Sequence, residues 1–194
     1  MNKQDMMKAA ASYVEALKDP NRAVNVVDDV QLPEIFTPVV ADAEKAARAA
    51  HEEWLKDAAQ RGVTRESNPN FVPYDELSEE TKNANVAVAL RTYKIFVYLG
   101  VKFVKNKTEP NVAKLEAVIF SATEIIHDGW SKDKLAAGWS FAPERDNESK
   151  KHTDLLDLET LVSIWPGKDE WDRNAVRGAL DSLANDYGIY PVIE

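Results

Sequence analysis

The stretches His51-Glu52-Glu53-Trp54 and His127-Asp128-Gly129-Trp130 decide how this chain is read. They stand 76 residues apart, from position 51 to position 127, and each falls late in a run with helical spacing. In the first run Ala43, Ala47, Ala50, Trp54 and Ala58 line one face; in the second, Val112, Leu115, Ile119, Ala122, Ile126 and Trp130 do so. Each run is followed by a long proline-containing loop and then by an amphipathic stretch. Those stretches end in Leu99-Gly100-Val101 and Tyr187-Gly188-Ile189, now 88 residues apart, so the second half carries about twelve extra residues in its middle. Self-similarity at this scale predicts two helix–long loop–helix units packed about a pseudo-twofold axis. A cleft between their equivalent surfaces would be a natural place for a ligand.

Working outward, Met7, Ala10, Val14 and Leu17 predict a first helix, ended by Asp19-Pro20-Asn21-Arg22. Residues 25–40, with Val pairs, Pro33 and Pro38, read as an extended linker or packing arm. Gly62 stops the helix that begins after Asp42, and Asn68, Pro69 and Pro73 keep residues 63–77 as loop. Ser78 caps the next helix, which buries Val86, Leu90, Tyr93 and Val97 and leads to a short strand near Val101–Val104. Pro110 suits the first position of the helix after that. Residues 131–168 read as mostly irregular, and a last helix over 172–185 is expected to bury Ala175, Ala179, Leu180 and Leu183. The expected fold is all-α, with five to six helices and at most a few short strands. Its parts are an N-terminal helix and arm (1–39), a first module (40–108) and a second (109–194).

The 194 residues carry a net charge of −9, no cysteine and only seven glycines. The acidic balance argues against a nucleic-acid polymer as partner, since such proteins present a basic face. Without cysteine there is no disulfide framework and no thiolate site, and three scattered histidines match no zinc spacing, so neither metal nor cofactor is expected. The start, MNKQDMMKAA, lacks the apolar run of a signal peptide, and no stretch is apolar enough for a membrane span. A soluble protein of the cytoplasm, without membrane contact, is the expectation. There is no Gly-x-Ser-x-Gly, P-loop or Rossmann fingerprint, so no catalytic residue is assigned and no enzyme is expected.

Binding chemistry concentrates in the second half. Trp139 follows Gly138, with Phe141 close behind, and an indole presented on a loop can stack on a base. Arg145, Lys150, Lys151 and His152 then supply cations in an otherwise acidic chain, the pairing a phosphate needs. The plainer alternative has Trp139 plugging the core while the cations are only solvated. His51 with Trp54, and His127 with Trp130, are three residues apart and share a helix face. A buried imidazole holding the following loop is the structural alternative to direct ligand contact. Tyr74, Asp75 and Lys82 offer either a second site or ordinary turn chemistry, and Lys102, Lys105 and Lys107 read as a solvated connector.

Taken together, His-x-x-Trp, Gly138-Trp139, Arg145-Asp146 and Lys151-His152 resemble the RyR domain. This repeat occurs in tandem in ryanodine receptors and singly in bacterial and phage proteins. The segment Pro69 to Leu77, Lys82, Asp172-Arg173 and the two Gly-ended helices extend the resemblance over about residues 40–192, in two partial copies. The first has Arg61-Gly62 where the pattern has Gly-Trp; the second has Asp154 to Leu158 where it has Val-Pro-Tyr-Asp. The resemblance implies a helical ligand-binding module, with nucleotide-derived molecules the class proposed for prokaryotic members, in a bacterial or phage-infected cytoplasm. It does not imply the receptor's channel. The expected function is therefore non-catalytic binding of a small nucleotide-like anion, for sensing or sequestration in bacteria–phage conflict. Alternatives are a protein–protein interaction module, with self-association left open, and a hydrolase using His152 or His127 as base.

Overall fold

The computed structural model describes residues 1–60, 62–106 and 111–193. Arg61, Lys107 and Pro110 lie outside them. The described residues form eight α-helices: α1 (Lys3–Ala16), α2 (Ala23–Val26), α3 (Thr37–Ala41), α4 (Ala43–Gln60), α5 (Glu79–Tyr98), α6 (Val112–Ala136), α7 (Leu158–Ile164) and α8 (Glu170–Tyr187). Four strands of two or three residues accompany them: β1 (Lys102–Val104), β2 (Ser140–Phe141), β3 (Lys151–His152) and β4 (Tyr190–Val192). The fold is all-α, and the surplus over the expected five or six helices lies in α2, α3 and α7, each seven residues or fewer. No helix of the described residues is long and apolar enough to cross a membrane.

Local chemistry accounts for the boundaries. Asn2, Ser78, Asn111 and Asp157 each accept a hydrogen bond from the amide three residues on, meeting one of the free N–H groups that open α1, α5, α6 and α7. Helix α6 is the spine. Its 25 residues bury Ile119, Ala122, Ile125, His127, Asp128 and Ser131, because other elements cover it on several sides. Its last turns, through Ala136, are helical where the sequence suggested irregular chain.

Residues 25–40 are not extended. They coil through α2, 3₁₀ turns at Val27–Asp29 and Glu34–Phe36, and α3, with Pro38 in the first turn of α3, where its missing N–H costs nothing. Val24, Val27, Phe36 and Val39 are thereby driven into the main core, beside Ile95, Phe96, Val176, Leu183 and Ile189. In α8 the buried stripe runs through Val176, Leu180 and Leu183, while Ala175 faces solvent.

The helices pair as α4 with α5 and α6 with α8. The strands that follow α5 and α8 pair with each other, antiparallel, as Lys102↔Val192, Phe103↔Pro191 and Val104↔Tyr190. Shifting β1 by 88 residues lands on β4, and the same shift exchanges the two outer pairs. This register is the one a twofold axis through the Phe103–Pro191 pair would produce.

Candidate ligand-binding site

Both His-x-x-Trp stretches are built the same way. His51 Nε2 lies 2.8 Å from the carbonyl oxygen of Val72, and His127 Nε2 lies 2.8 Å from that of Leu156. Each imidazole stacks on its tryptophan, at 5.4 Å and 29° for Trp54 and 5.6 Å and 30° for Trp130. Both rings are buried, so each hydrogen bond pins the loop that follows its helix to the helix itself. Of the two readings offered by the sequence, this geometry is the structural one.

The helix carrying His127 ends in a Schellman turn. Gly138 takes φ +83°, its amide donates to the Leu135 carbonyl at 3.0 Å, and the Trp139 amide donates to the Lys134 carbonyl at 3.0 Å. The glycine supplies the left-handed residue, and the closing bond ties Trp139 to Lys134. The Lys134 ammonium consequently lies 4.8 Å from the Trp139 ring centre and 6.0 Å from that of Trp130. Gly62 makes the same turn in the first half, but Val63 stands in the tryptophan's place.

Two short parallel strands then fold the loop back on itself, pairing Ser140 with Lys151 and Phe141 with His152. His152, 4% exposed, presents its ring edge-on to Trp130 at 4.9 Å and Trp139 at 5.8 Å. Phe141 enters a second core with Leu155, Leu156, Leu158, Leu161 and Ala10 of α1. The outer cations have local partners. Arg145 Nε donates to Asn147 at 2.9 Å, Lys151 donates to the Ser140 hydroxyl at 2.8 Å, and Lys150, at φ +52°, donates to the Ala137 carbonyl at the end of α6. Lys168 bridges Asp154 at 3.1 Å.

Electrostatics follow from this packing. Burial drives the His152 pKa down to about 4; Asp154 opposes that shift, while Arg145, Lys134 and Lys168 add to it. Lys134 is depressed by burial and by Arg145. Asp154 is raised by burial but pulled further down by hydrogen bonds from Thr153 and Lys168. Burial also lowers His127, yet Asp172 and the Leu156 carbonyl outweigh it and the net shift is upward. Lys134 and Lys168 were not singled out in the sequence. Lys134 was nevertheless legible there, because a glycine-stopped helix brings the residue five before its C″ position against that position.

The first-half residues form their own cluster. Tyr74 is buried, with the Arg48 guanidinium 4.7 Å from its ring centre. Arg48 holds Asp75 through two bonds of 2.7 and 2.8 Å, and Lys82 bonds Glu79 at 2.8 Å. Among the described residues, no hydrogen bond, ion pair or ring contact joins this cluster to Trp139 or His152. A third arrangement anchors the N-terminal helix: buried Asp128 accepts bonds from Tyr13 Oη at 2.9 Å and from Arg22 at 2.6 and 3.0 Å. An open cavity of about 520 Å³ lies beside this anchor, lined by Val14, Leu17, Lys18, Pro20, Asn25, Lys132 and Leu135. It is mostly apolar and shares no residue with the aromatic–cationic cluster.

Helix α6, the Gly-Trp turn, the paired loop strands and α8 are one continuous stretch, and it is this stretch that a known family recognises. Residues 112–187 match the RyR domain. The match includes His127, Trp130, Lys134, Trp139, Arg145, His152 and Lys168, and so the whole aromatic–cationic cluster belongs to the RyR-matching segment. Residues 43–106, which repeat its histidine geometry, and the N-terminal helix lie outside it.

Proposed function

We propose that this chain binds, without transforming it, a small planar anion of nucleotide type on the RyR-matching segment. The observation that carries the reading is the Lys134 ammonium, 4.8 Å from the ring centre of Trp139 and 6.0 Å from that of Trp130, with Arg145 acting on it, in a chain with net charge −9. Like charges held together raise one another's energy, and an anion relieves them. The half-buried Trp139 indole adds a flat apolar surface, and stacking a base there contributes about 1–3 kcal/mol. No general base is needed for this role. The bound molecule would be a signal that the protein senses or sequesters.

We also read residues 43–106 as a second, diverged copy of the RyR unit. The support is internal: equivalent histidine–carbonyl bonds, equivalent glycine stops at Gly62 and Gly138, and the twofold register of β1 and β4. In that copy Val63 replaces the tryptophan, and the cations are bonded to carboxylates, which favours a structural role.

A thermal-shift panel of mono-, di- and cyclic nucleotides and ADP-ribose derivatives tests the reading. Stabilisation abolished by Trp139→Ala and by Arg145→Ala is the expected result, with the ligand recovered at unchanged mass after incubation. Recovery of a cleaved product would make the protein a hydrolase instead. A protein indifferent to the whole panel would sink the ligand reading. Exposed Val112 and Phe120, two turns apart on α6, would then direct attention to a protein partner.

A further inference from the structure

Helix α1 lies outside the RyR-matching segment, yet it places buried side chains in both cores. Tyr13, with Leu17 just past the helix end, joins the main core. Ala10, flanked by Met6 and Ala9, joins the core beneath the loop, with Phe141, Leu155 and Leu156. The Tyr13 ring stacks on His127 at 6.2 Å and 23°, and that imidazole in turn holds the Leu156 carbonyl. At the outer end of α1, Lys3 reaches Glu144, the neighbour of Arg145, at 3.0 Å. At the inner end the Asn25 side chain donates to the Leu17 carbonyl at 3.0 Å and fixes the last turn.

The seat under α1 is not an ordinary apolar interface. Beneath Tyr13 lies the buried Asp128 carboxylate. One turn on, Ser131 Oγ is buried near the phenol but outside hydrogen-bond geometry, with no partner among the described residues. The cavity of about 520 Å³ stays open between Val14, Leu17 and Lys18 on one side and Lys132 and Leu135 of α6 on the other. A buried hydroxyl without a partner and a desolvated carboxylate both gain from water, so this seat is held less firmly than a filled core. Glu52, at the matching position 76 residues before Asp128, is exposed, so the two halves differ at this seat.

We propose that α1 is a strap on the RyR-matching segment, hinged near Leu17 and latched by Tyr13 on Asp128, and that its seating and the closed shape of the β2–β3 loop form one linked equilibrium. Ala10 and Met6 wall the loop core from outside, so lifting the helix uncovers Phe141 and Leu155. The strand pair that carries Phe141 and His152 then loses its backing. The linkage is reciprocal, so whatever holds the loop closed also seats α1. On the ligand-binding reading above, a molecule held beside Trp139 tightens the strap, and its occupancy is reported at α1. That last step rests on the ligand-binding reading; the strap does not.

Hydrogen exchange of the whole chain, read residue by residue, tests the linkage. Two variants lift the strap by different routes: Tyr13→Leu takes the phenol from the latch, and Ala10→Glu forces a charge into the loop core. In both, the amides of α1 should exchange at least tenfold faster. So should those of Ser140 and Ala142, which donate to the Lys150 and His152 carbonyls. Ile95 and Phe96 in α5 should keep their rates. A third protein needs no destabilising change. Lys3→Cys/Glu144→Cys, joined by a flexible bismaleimide in a chain with no other cysteine, should slow Ser140 and Ala142 at least threefold. Faster α1 amides with Ser140 and Ala142 unmoved, or a cross-link that leaves both rates unchanged, overturns the linkage. Equal acceleration of Ile95 and Phe96 overturns it too, because α1 would then be ordinary core. None of these rates needs a ligand. A chain indifferent to nucleotides removes the ligand reading and leaves the strap, whereas loop amides indifferent to α1 remove the strap and leave the ligand reading.

Discussion

Replacing Asp128 by alanine should destabilise the protein by removing three hydrogen bonds, from two partners, at once. The carboxylate side chain is 8% exposed and takes two bonds from Arg22 and one from the phenol of Tyr13. Tyr13 is itself 3% exposed, so losing its acceptor leaves a buried hydroxyl unmet, a cost of about 1–3 kcal/mol. The Arg22 side chain is 31% exposed and can turn to water, which limits the loss of the ion pair to about 1 kcal/mol. Asp128→Ala should therefore cost about 2–4 kcal/mol and lower Tm by about 5–15 °C for a chain of this size. Arg22→Ala should cost about as much, because it leaves a buried charge with one neutral donor. The sharper test is the double variant. In Tyr13→Phe no phenol remains to be stranded, so Tyr13→Phe/Asp128→Ala should cost less than the sum of the single changes, by about 1 kcal/mol or more. Urea unfolding followed by circular dichroism measures all four proteins. Additivity within about 0.5 kcal/mol, or an Asp128→Ala cost below that of an ordinary surface change, would refute the claim that this network anchors the N-terminal helix.

The remaining predictions concern the histidines and glycines. His152 has its folded pKa depressed to about 4 against an ordinary value of 6.5, so the native state resists its protonation. The stability this leaves at neutral pH is lost as pH falls from about 6.5 toward 4, by up to about 3 kcal/mol relative to His152→Gln, and parallel urea profiles at pH 7, 6 and 5 would contradict it. His127 has the opposite sign: its raised pKa gives a contribution that is full below 6.5 and fades as pH rises through the folded value, so the margin of wild type over His127→Gln should narrow between pH 6 and 8. Gly138→Ala should cost about 1–2 kcal/mol from its φ of +83° alone, since a Cβ there would meet nothing closer than 3.9 Å. Gly178→Ala, in the exposed middle of α8 with nothing within 4 Å, should instead stabilise by about 0.5–1 kcal/mol, and equal signs in thermal unfolding would refute the backbone argument.

Whatever depends on local rules could be read directly from the order of residues. Apolar spacing, the capping residues and the glycine stops set the long helices, and the two His-x-x-Trp stretches announced two similarly built helix–loop joints before any contact was known. Spacing could not show that residues 25–40 coil into short helical turns. Their valines and Phe36 are held there by α5, α6 and α8, all distant in sequence, and burial against them outweighs the extended preference of the chain. Nor could it show that Tyr13 and Arg22 meet Asp128, or that Lys168 reaches Asp154, because charge pairs between separate elements leave no periodic trace. Among the candidate binding residues, the sequence named Trp139, Arg145 and His152 from their chemistry. Which cations stay without a carboxylate depends on contacts between distant elements. The fold ties Lys82 to Glu79 and Lys168 to Asp154, but sets Lys134 over two indoles with no acid bonded to it among the described residues.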